Sequence, residues 1–282
     1  MTTVGEVMTT NPIVAQVPGS RNEVLKTMVK HNLTGLPVVR RSDGTLAGMI
    51  TRQDIFAKPE EDQAAMIMNR DPPTIGPKDM VEKAAAIFSA KKLRHLPVVE
   101  NHKLVGILTP TDLLAVVERK SIEGPVEKVI KSPCVPIYQD ATLAVASITL
   151  TVSKSTALPV LDEAGHLVGI ISDRDIFNRS YVEGGEVKTT DEDEEEEVPA
   201  DSLKNVMKLW HHASKVDLPG MPVKDIMVRN PITVFKKTAI SEAARIMRKN
   251  DFGQLPVRDA KDNLLAMIYD HDVISILAEE EE

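Results

Sequence analysis

The sequence predicts a mixed α/β protein made of four copies of one small β-α-β-β-α unit. Three observations lead there. A Leu-Pro-Val signal occurs four times, with its proline at Pro37, Pro97, Pro159 and Pro256. Each copy is followed by a turn, a second apolar stretch and a closing aspartate, at Asp54, Asp112, Asp175 and Asp272. The prolines step by 60, 62 and 97 residues and the aspartates by 58, 63 and 97, so both signals recur in register. The long last step places an insertion of roughly 35 residues between the third and fourth copies. The expected repeats are 1–62, 63–122, 123–180 and 221–282, with the insertion at 181–220. One such unit is too small to bury much apolar surface alone. The simplest solution pairs copies in chain order, giving modules 1–122 and 123–282.

The elements follow from local chemistry, taken in the first copy. Ile13 to Val17 reads as a short strand. Val24, Leu25, Met28 and Val29 share one face at helical spacing. Ser20 with Glu23, and Asp79 with Glu82 in the second copy, have the spacing of a helix-start pair in which side chain and backbone satisfy each other. Leu36 to Val39 and Leu46 to Ile50 read as strands, joined through Asp43-Gly44, a tight-turn signal. A second helix starts after Thr51 and carries Ile55 and Phe56.

Composition narrows the function classes. The 282 residues hold 3% aromatics, so Leu, Ile, Val, Ala and Met must do the packing. A single cysteine, Cys134, excludes an internal disulfide framework and fits a reducing, cytoplasmic setting. The N-terminus is polar and no apolar run approaches membrane-spanning length, so neither a signal peptide nor a membrane span is expected. The net charge of -8 disfavours non-specific nucleic-acid binding. Much of that charge is local, in the run Asp191 to Glu197 and the tail Glu279 to Glu282.

The chemistry-bearing motif is Gly-x-x-[Thr/Ser]-x-x-Asp. Thr51 with Asp54, Thr109 with Asp112, and Ser172 with Asp175 all have the spacing of a helix N-terminus. One reading is purely structural, a capping box. The other uses the same geometry for a ligand. A carboxylate offers two acceptor oxygens, which suit the adjacent hydroxyls of a ribose, and free N–H groups at a helix start suit a phosphate. The residues alone leave both readings open.

The β-α-β-β-α repeat, the Leu-Pro-Val strand and the motif ending on aspartate resemble the CBS domain. CBS domains pair into Bateman modules, and four in one chain resemble the γ subunit of AMP-activated protein kinase and stand-alone archaeal relatives. The resemblance implies adenine-nucleotide binding (AMP, ADP or ATP) in clefts between paired domains, no catalysis and no resident cofactor or metal. It assigns the ribose to Asp54, Asp112, Asp175 and Asp272, with the hydroxyls of Thr51, Thr109 and Ser172 beside it. It also implies that Arg94 and His95, just before the second Leu-Pro-Val, gather toward the phosphates, where Arg94 can fork onto an anion. Thr34 and Thr156 stand at the position of Arg94 and can line a cleft. Arg52 and Arg174, inside their motifs, are further phosphate candidates or plain surface charge.

Repeat four departs from the pattern. Ala266 replaces the glycine, Tyr269 the hydroxyl residue, and Gly253-Gln254 the basic pair. Asp272 remains, and His271 is a candidate phosphate donor or a surface residue. The insertion is of another kind. Its acidic stretch predicts a disordered tether, and Leu203, Val206, Met207 and Trp210 predict one amphipathic helix, capped by Asp201 or Ser202, that packs on the second module or docks a partner. His211-His212 has no spaced partner for a metal.

Rival classes are weaker. No GxSxG, HExxH or P-loop lysine motif occurs. Nucleic-acid binding would need a basic face from Lys91, Lys92, Lys236, Lys237, Arg245, Arg248 and Lys249. S-adenosylmethionine or its thioether products are the alternative small ligands. The expectation is therefore a non-enzymatic sensor that passes nucleotide occupancy to a regulated protein, with a homodimer as one open assembly.

Overall fold

A computed structural model describes residues 2–31, 33–58, 61–176 and 221–279. The four repeats are present as mixed α/β units. Repeat one has β2 (Ala15–Val17), a helix Arg21–Lys30, β3 (Gly35–Arg40), β4 (Leu46–Thr51) and a helix Arg52–Ala57. β2 pairs parallel with β3, and β3 antiparallel with β4. Repeats two to four reuse that plan with β5 (Leu96–Glu100) and β6 (Lys103–Leu108), β7 (Ile137–Tyr138), β8 (Ala157–Leu161) and β9 (Leu167–Ser172), and β11 (Val234–Phe235), β12 (Gln254–Arg258) and β13 (Leu264–Tyr269). Each hairpin slips register at the same place, between Val38 and Val39, Val98 and Val99, Val160 and Leu161, and Val257 and Arg258. A bulge repeated four times bends every hairpin alike.

Each repeat also begins with a short lead that hydrophobic periodicity is too coarse to show. The leads hold helices Val4–Val7 and Ala64–Ile67 and single 3-10 turns at Val126–Lys128 and Val223–Asp225. They pack on a neighbouring repeat rather than on their own. β1 (Thr9–Thr10), from the lead of repeat one, pairs with β6 of repeat two. Met49 of repeat one bridges to Asn69 in the lead of repeat two.

The chain forms two compact units, residues 1–132 with 233–282, and residues 133–232. Unit one contains repeats one and two, the bulk of repeat four, and the lead of repeat three. Its core joins Phe88, Leu113, Leu114 and Val117 of repeat two to Ile240, Met247, Val273, Ile274 and Leu277 of repeat four, all buried. The helix Val81–Lys91 packs against Asp270–Ala278, and Pro110–Arg119 against Ile240–Asn250. Arg248 Nε donates to Glu118 Oε2 at 2.7 Å and Ser89 Oγ to the carbonyl of His271 at 3.0 Å along the same seam. Within this unit the lead of repeat three lies on repeat four: the Val126 N–H donates to the Thr238 carbonyl at 2.9 Å, and the Ile240 N–H to that of Gly124 at 2.9 Å.

Unit two contains the bulk of repeat three and the lead of repeat four. β10 (Val228–Arg229) joins β9 to give the order β10-β9-β8-β7 around a core of Ile137, Leu143, Leu158, Val160, Ile171 and Met227. The compact units thus group residues by lead exchange and helix packing, where chain order groups 1–122 and 123–282.

One local expectation, the Asp79–Glu82 helix-start pair, is corrected. Asp79 does not cap its helix: its Oδ2 accepts from the Gly76 N–H at 2.8 Å, and the helix opens one residue later, after Met80. Glu82, the other half of that pair, is buried and meets Lys120 at 3.3 Å. The Ser20–Glu23 pair does form, with the Ser20 N–H at 2.7 Å from Glu23 Oε2. The insertion, including Asp201, Ser202, Trp210 and His211-His212, lies outside the described residues.

Candidate functional site

The residue that closes or follows the second strand is extended and precedes a helix, which makes it an N-cap. Thr51 (φ -111°, ψ 166°), Thr109 (φ -126°, ψ 163°) and Tyr269 (φ -110°, ψ 159°) all have this geometry. The cap is reciprocal. The Thr51 N–H and hydroxyl donate to Asp54 Oδ2 at 2.8 and 2.6 Å, and the Asp54 N–H returns to Thr51 Oγ1 at 3.3 Å. Thr109 donates twice to Asp112 Oδ2 at 2.7 and 2.8 Å, and Ser172 twice to Asp175 Oδ2 at 2.8 and 2.6 Å. Every bond falls on the same oxygen. Among the described residues no hydrogen bond reaches Oδ1 of Asp54, Asp112 or Asp175, and all three side chains are only half-buried. Burial raises the Asp112 carboxyl above its usual range, against the lowering effect of the two Thr109 bonds.

The motif glycine has a different task from the carboxylate. A Cβ at Gly48 would stand 2.4 Å from the Asn69 carbonyl oxygen. At Gly106 it would meet Met8 Sδ and, at 3.0 Å, the Thr9 oxygen. At Gly169 it would meet Met227 Sδ and, at 3.1 Å, the Val228 oxygen. In all three repeats the lead of another repeat lies against the bare Cα, so glycine is required by backbone approach. The lead residue five places before the parallel strand pairing is Thr10, Arg70, Ser132 or Arg229. Sequence reasoning missed these positions because the leads differ in composition; aligning them on the strand registers would have exposed them.

Arg94 and His95, in the bend just before β5, do not act as one clamp, because their side chains meet different repeats. His95 turns toward repeat one, where its Nε2 is 3.1 Å from Thr34 Oγ1. Its ring lies on Gly35, where a Cβ would come within 2.8 Å of Cε1. Burial, then the Arg94 charge, lowers its pKa to about 4, so the ring is neutral at pH 7. Arg94 turns toward repeat four, with Nη2 3.9 Å from Asp270 Oδ2 and both Nη atoms near the Cα of Gly253. The glycine at the repeat-four counterpart of Arg94 makes that room.

A further backbone bond distinguishes repeat two. The Arg52 N–H donates to the Thr34 carbonyl at 3.1 Å, that of Asp173 to Thr156 at 3.3 Å, and that of Asp270 to Gly253 at 2.9 Å. Pro110 stands at this position in repeat two and has no N–H, so the Arg94 carbonyl lacks the equivalent tie. Thr156 Oγ1 is buried, with no hydrogen-bond partner among the described residues. Arg52 and Arg174 occupy the first turns of their helices, Arg174 exposed and Arg52 half-buried. Among the described residues no three His, Cys, Asp or Glu side chains gather as metal ligands, and no helix is long and apolar enough to cross a membrane.

The family follows from most of the length of the chain. The model for the CBS domain matches residues 4–61, 64–119, 126–181 and 223–279. The chain belongs to the CBS-domain family. A CBS domain-containing protein of Dictyostelium discoideum is 29% identical over 152 residues, 54% of this chain and 90% of that protein. An inosine-5′-monophosphate dehydrogenase of Thermoplasma acidophilum is 35% identical over 114 residues, but the match spans only 22% of the dehydrogenase. Among solved structures, an uncharacterized conserved protein of Pyrococcus horikoshii aligns with a TM-score of 0.69 and 26% identity, covering 98% of this chain and 100% of that one. MJ1225 of Methanocaldococcus jannaschii, proposed as an archaeal homologue of the kinase γ subunit, has a TM-score of 0.75 at 20% identity, with 98% and 100% coverage. This second likeness concerns the fold alone.

Proposed function

We propose that this CBS protein is a non-catalytic, cytoplasmic regulator that binds adenine nucleotides at its motif carboxylates and passes occupancy to a partner protein. One observation carries the reading. In repeats one to three the cap uses only Oδ2 of the aspartate, so Asp54, Asp112 and Asp175 keep an acceptor oxygen for a ribose hydroxyl at a helix N-terminus. Membership of the CBS-domain family supports it. Arg94, Arg52 and Arg174 are the phosphate candidates, and the hydroxyls of Thr34 and Thr156 line the approach. Signalling would be a population shift, in which ligand favours the arrangement of paired repeats that offers it more contacts.

Isothermal titration of the full chain with AMP, ADP and ATP tests the proposal. Binding tighter than millimolar is expected, and no binding of any of the three would overturn it. A second reading, S-adenosylmethionine or a related nucleoside thioether, draws on the neutral His95 and on the pairing of Arg94 with Asp270. Both reduce the positive charge available to a polyphosphate. Tighter binding of S-adenosylmethionine than of AMP would favour it.

A further inference from the structure

Repeat four keeps the motif aspartate but surrounds it differently. Asp272 is 2% exposed, whereas Asp54, Asp112 and Asp175 are half-buried. Its Oδ2 accepts the cap N–H of Tyr269 at 3.1 Å, as in the other repeats. Its Oδ1 is also taken: the Ser132 hydroxyl donates to it at 3.1 Å. The same hydroxyl lies 3.0 Å from His271 Nε2, and the His271 ring stacks on the buried Tyr269 ring, with centroids 5.4 Å apart.

The sequence departures of repeat four explain how this came about. Leads cross the bare Cα of Gly48, Gly106 and Gly169 and bridge or pair with the strands there. Ala266 puts a methyl group at that position, and among the described residues no lead strand pairs with β13. The lead of repeat three keeps the attachment that every lead makes to its neighbour, here through Val126, Glu127 and Gly124, but its last residue, Ser132, reaches the carboxylate. At the positions equivalent to Ser132, Arg70 and Arg229 donate to carbonyls of their own leads, Ala65 and Lys224, and among the described residues no hydrogen bond joins Thr10 to Asp112. The phenol-bearing Tyr269 replaces the small hydroxyl and fills space with its ring.

We infer that the fourth motif is occupied by the protein itself: Ser132 supplies the alcohol that a ribose would, and Ser132, His271 and Asp272 form an internal joint in place of a nucleotide site. This rests on the reading of the other three carboxylates as ribose acceptors. It assigns Ser132 and His271 as the residues that decide which repeats take ligand, and limits the chain to three nucleotides.

Two measurements test it. In titrations with AMP, wild type should saturate at three equivalents or fewer. Asp272→Asn and Ser132→Ala should keep that stoichiometry and stay within about twofold in affinity, while Asp112→Asn should weaken binding at one site by about tenfold or more. Four equivalents in wild type, or loss of one equivalent in Asp272→Asn or Ser132→Ala, would overturn the assignment. The second measurement needs no ligand. In a thermal-unfolding cycle of Ser132→Ala, Asp272→Asn and the double variant, the joint predicts that the second substitution lowers Tm far less than it does alone. Strict additivity would overturn the contact. If wild type bound no AMP, the nucleotide proposal would fail, and this cycle would still decide the joint.

Discussion

Repeats two and four share one core, yet the same motif ends differently in each. In repeat two, Gly106 lets the lead of repeat one pair with β6, and Asp112 is left half-open with one oxygen engaged. In repeat four, Ala266 stands where a lead would pass, and Asp272 is sealed with both oxygens engaged. The motif glycine and the motif aspartate are therefore linked through the neighbouring lead. Where the backbone of a neighbouring lead lies flat on the strand, the helix start beside it stays open. Where a methyl group keeps the lead off, a side chain from that lead closes the helix start.

The sharpest way to break this comparison is to exchange the two residue types. Gly48→Ala sets a Cβ 2.4 Å from a carbonyl oxygen, a rigid neighbour that cannot rotate away. A loss of about 1–3 kcal/mol is expected in chemical denaturation, in line with overpacking elsewhere. Gly106→Ala should be milder, since its tightest neighbour is the flexible end of Met8. Ala266→Gly, which meets no such demand, should change stability by about 1 kcal/mol or less. Equal losses at 48 and 266 would sever the link between glycine and lead.

Next in size is the carboxylate itself. Asp54→Ala removes a cap, worth about 1 kcal/mol of stability. If Asp54 also holds a ribose, affinity at that site should fall about tenfold or more, since hydrogen bonds to charged groups contribute about 1.5–3 kcal/mol. The same should hold for Asp175→Ala. Lower melting temperatures with unchanged AMP binding in both variants would leave the motif as a cap alone.

How much of this was legible in the sequence depends on what kind of interaction was involved. The hairpins and the Thr51, Thr109 and Ser172 caps depend on neighbours in the chain, and spacing reveals them. The turn of repeat two is less visible: Asn101 (φ 51°) and His102 (φ 65°) both adopt the left-handed conformation that a two-residue hairpin needs, without glycine. First helices end the same way, on Lys92 (φ 49°), Lys154 (φ 54°) and Asp251 (φ 53°), where tertiary packing overrides the usual glycine signal. The leads were illegible because a four-residue helix has no period and its partner lies in another repeat. Ser132 was hidden for the same reason, and Arg94 and His95, adjacent in the chain, part company only in space.

That parting gives a pH test. His95 has an ordinary pKa of 6.5 and a folded one of about 4, so the unfolded chain takes up its proton first as pH falls. Its contribution is fully present above pH 6.5, is lost between 6.5 and about 4, and is flat below that. Discounted for its partial exposure, the loss should be of order 1–2 kcal/mol. His95→Gln should flatten this part of the stability profile. An unchanged slope would mean that His95 is solvated in the folded chain.

The smallest expected effect is that of Arg94 on stability, and it separates two roles for the residue. Its contact with Asp270 is long, at 3.9 Å, and its side chain is 47% exposed, so Arg94→Ala should change stability by about 0–1 kcal/mol. Ligand preference is the better readout. A guanidinium drawn from Asp270 onto a phosphate would make the variant lose affinity for AMP and ATP while keeping it for adenosine. Such a loss should shrink at high salt, where an exposed charge is screened. Equal loss for nucleotide and nucleoside would instead make Arg94 a spacer between repeats two and four, held in place by the bare Cα of Gly253.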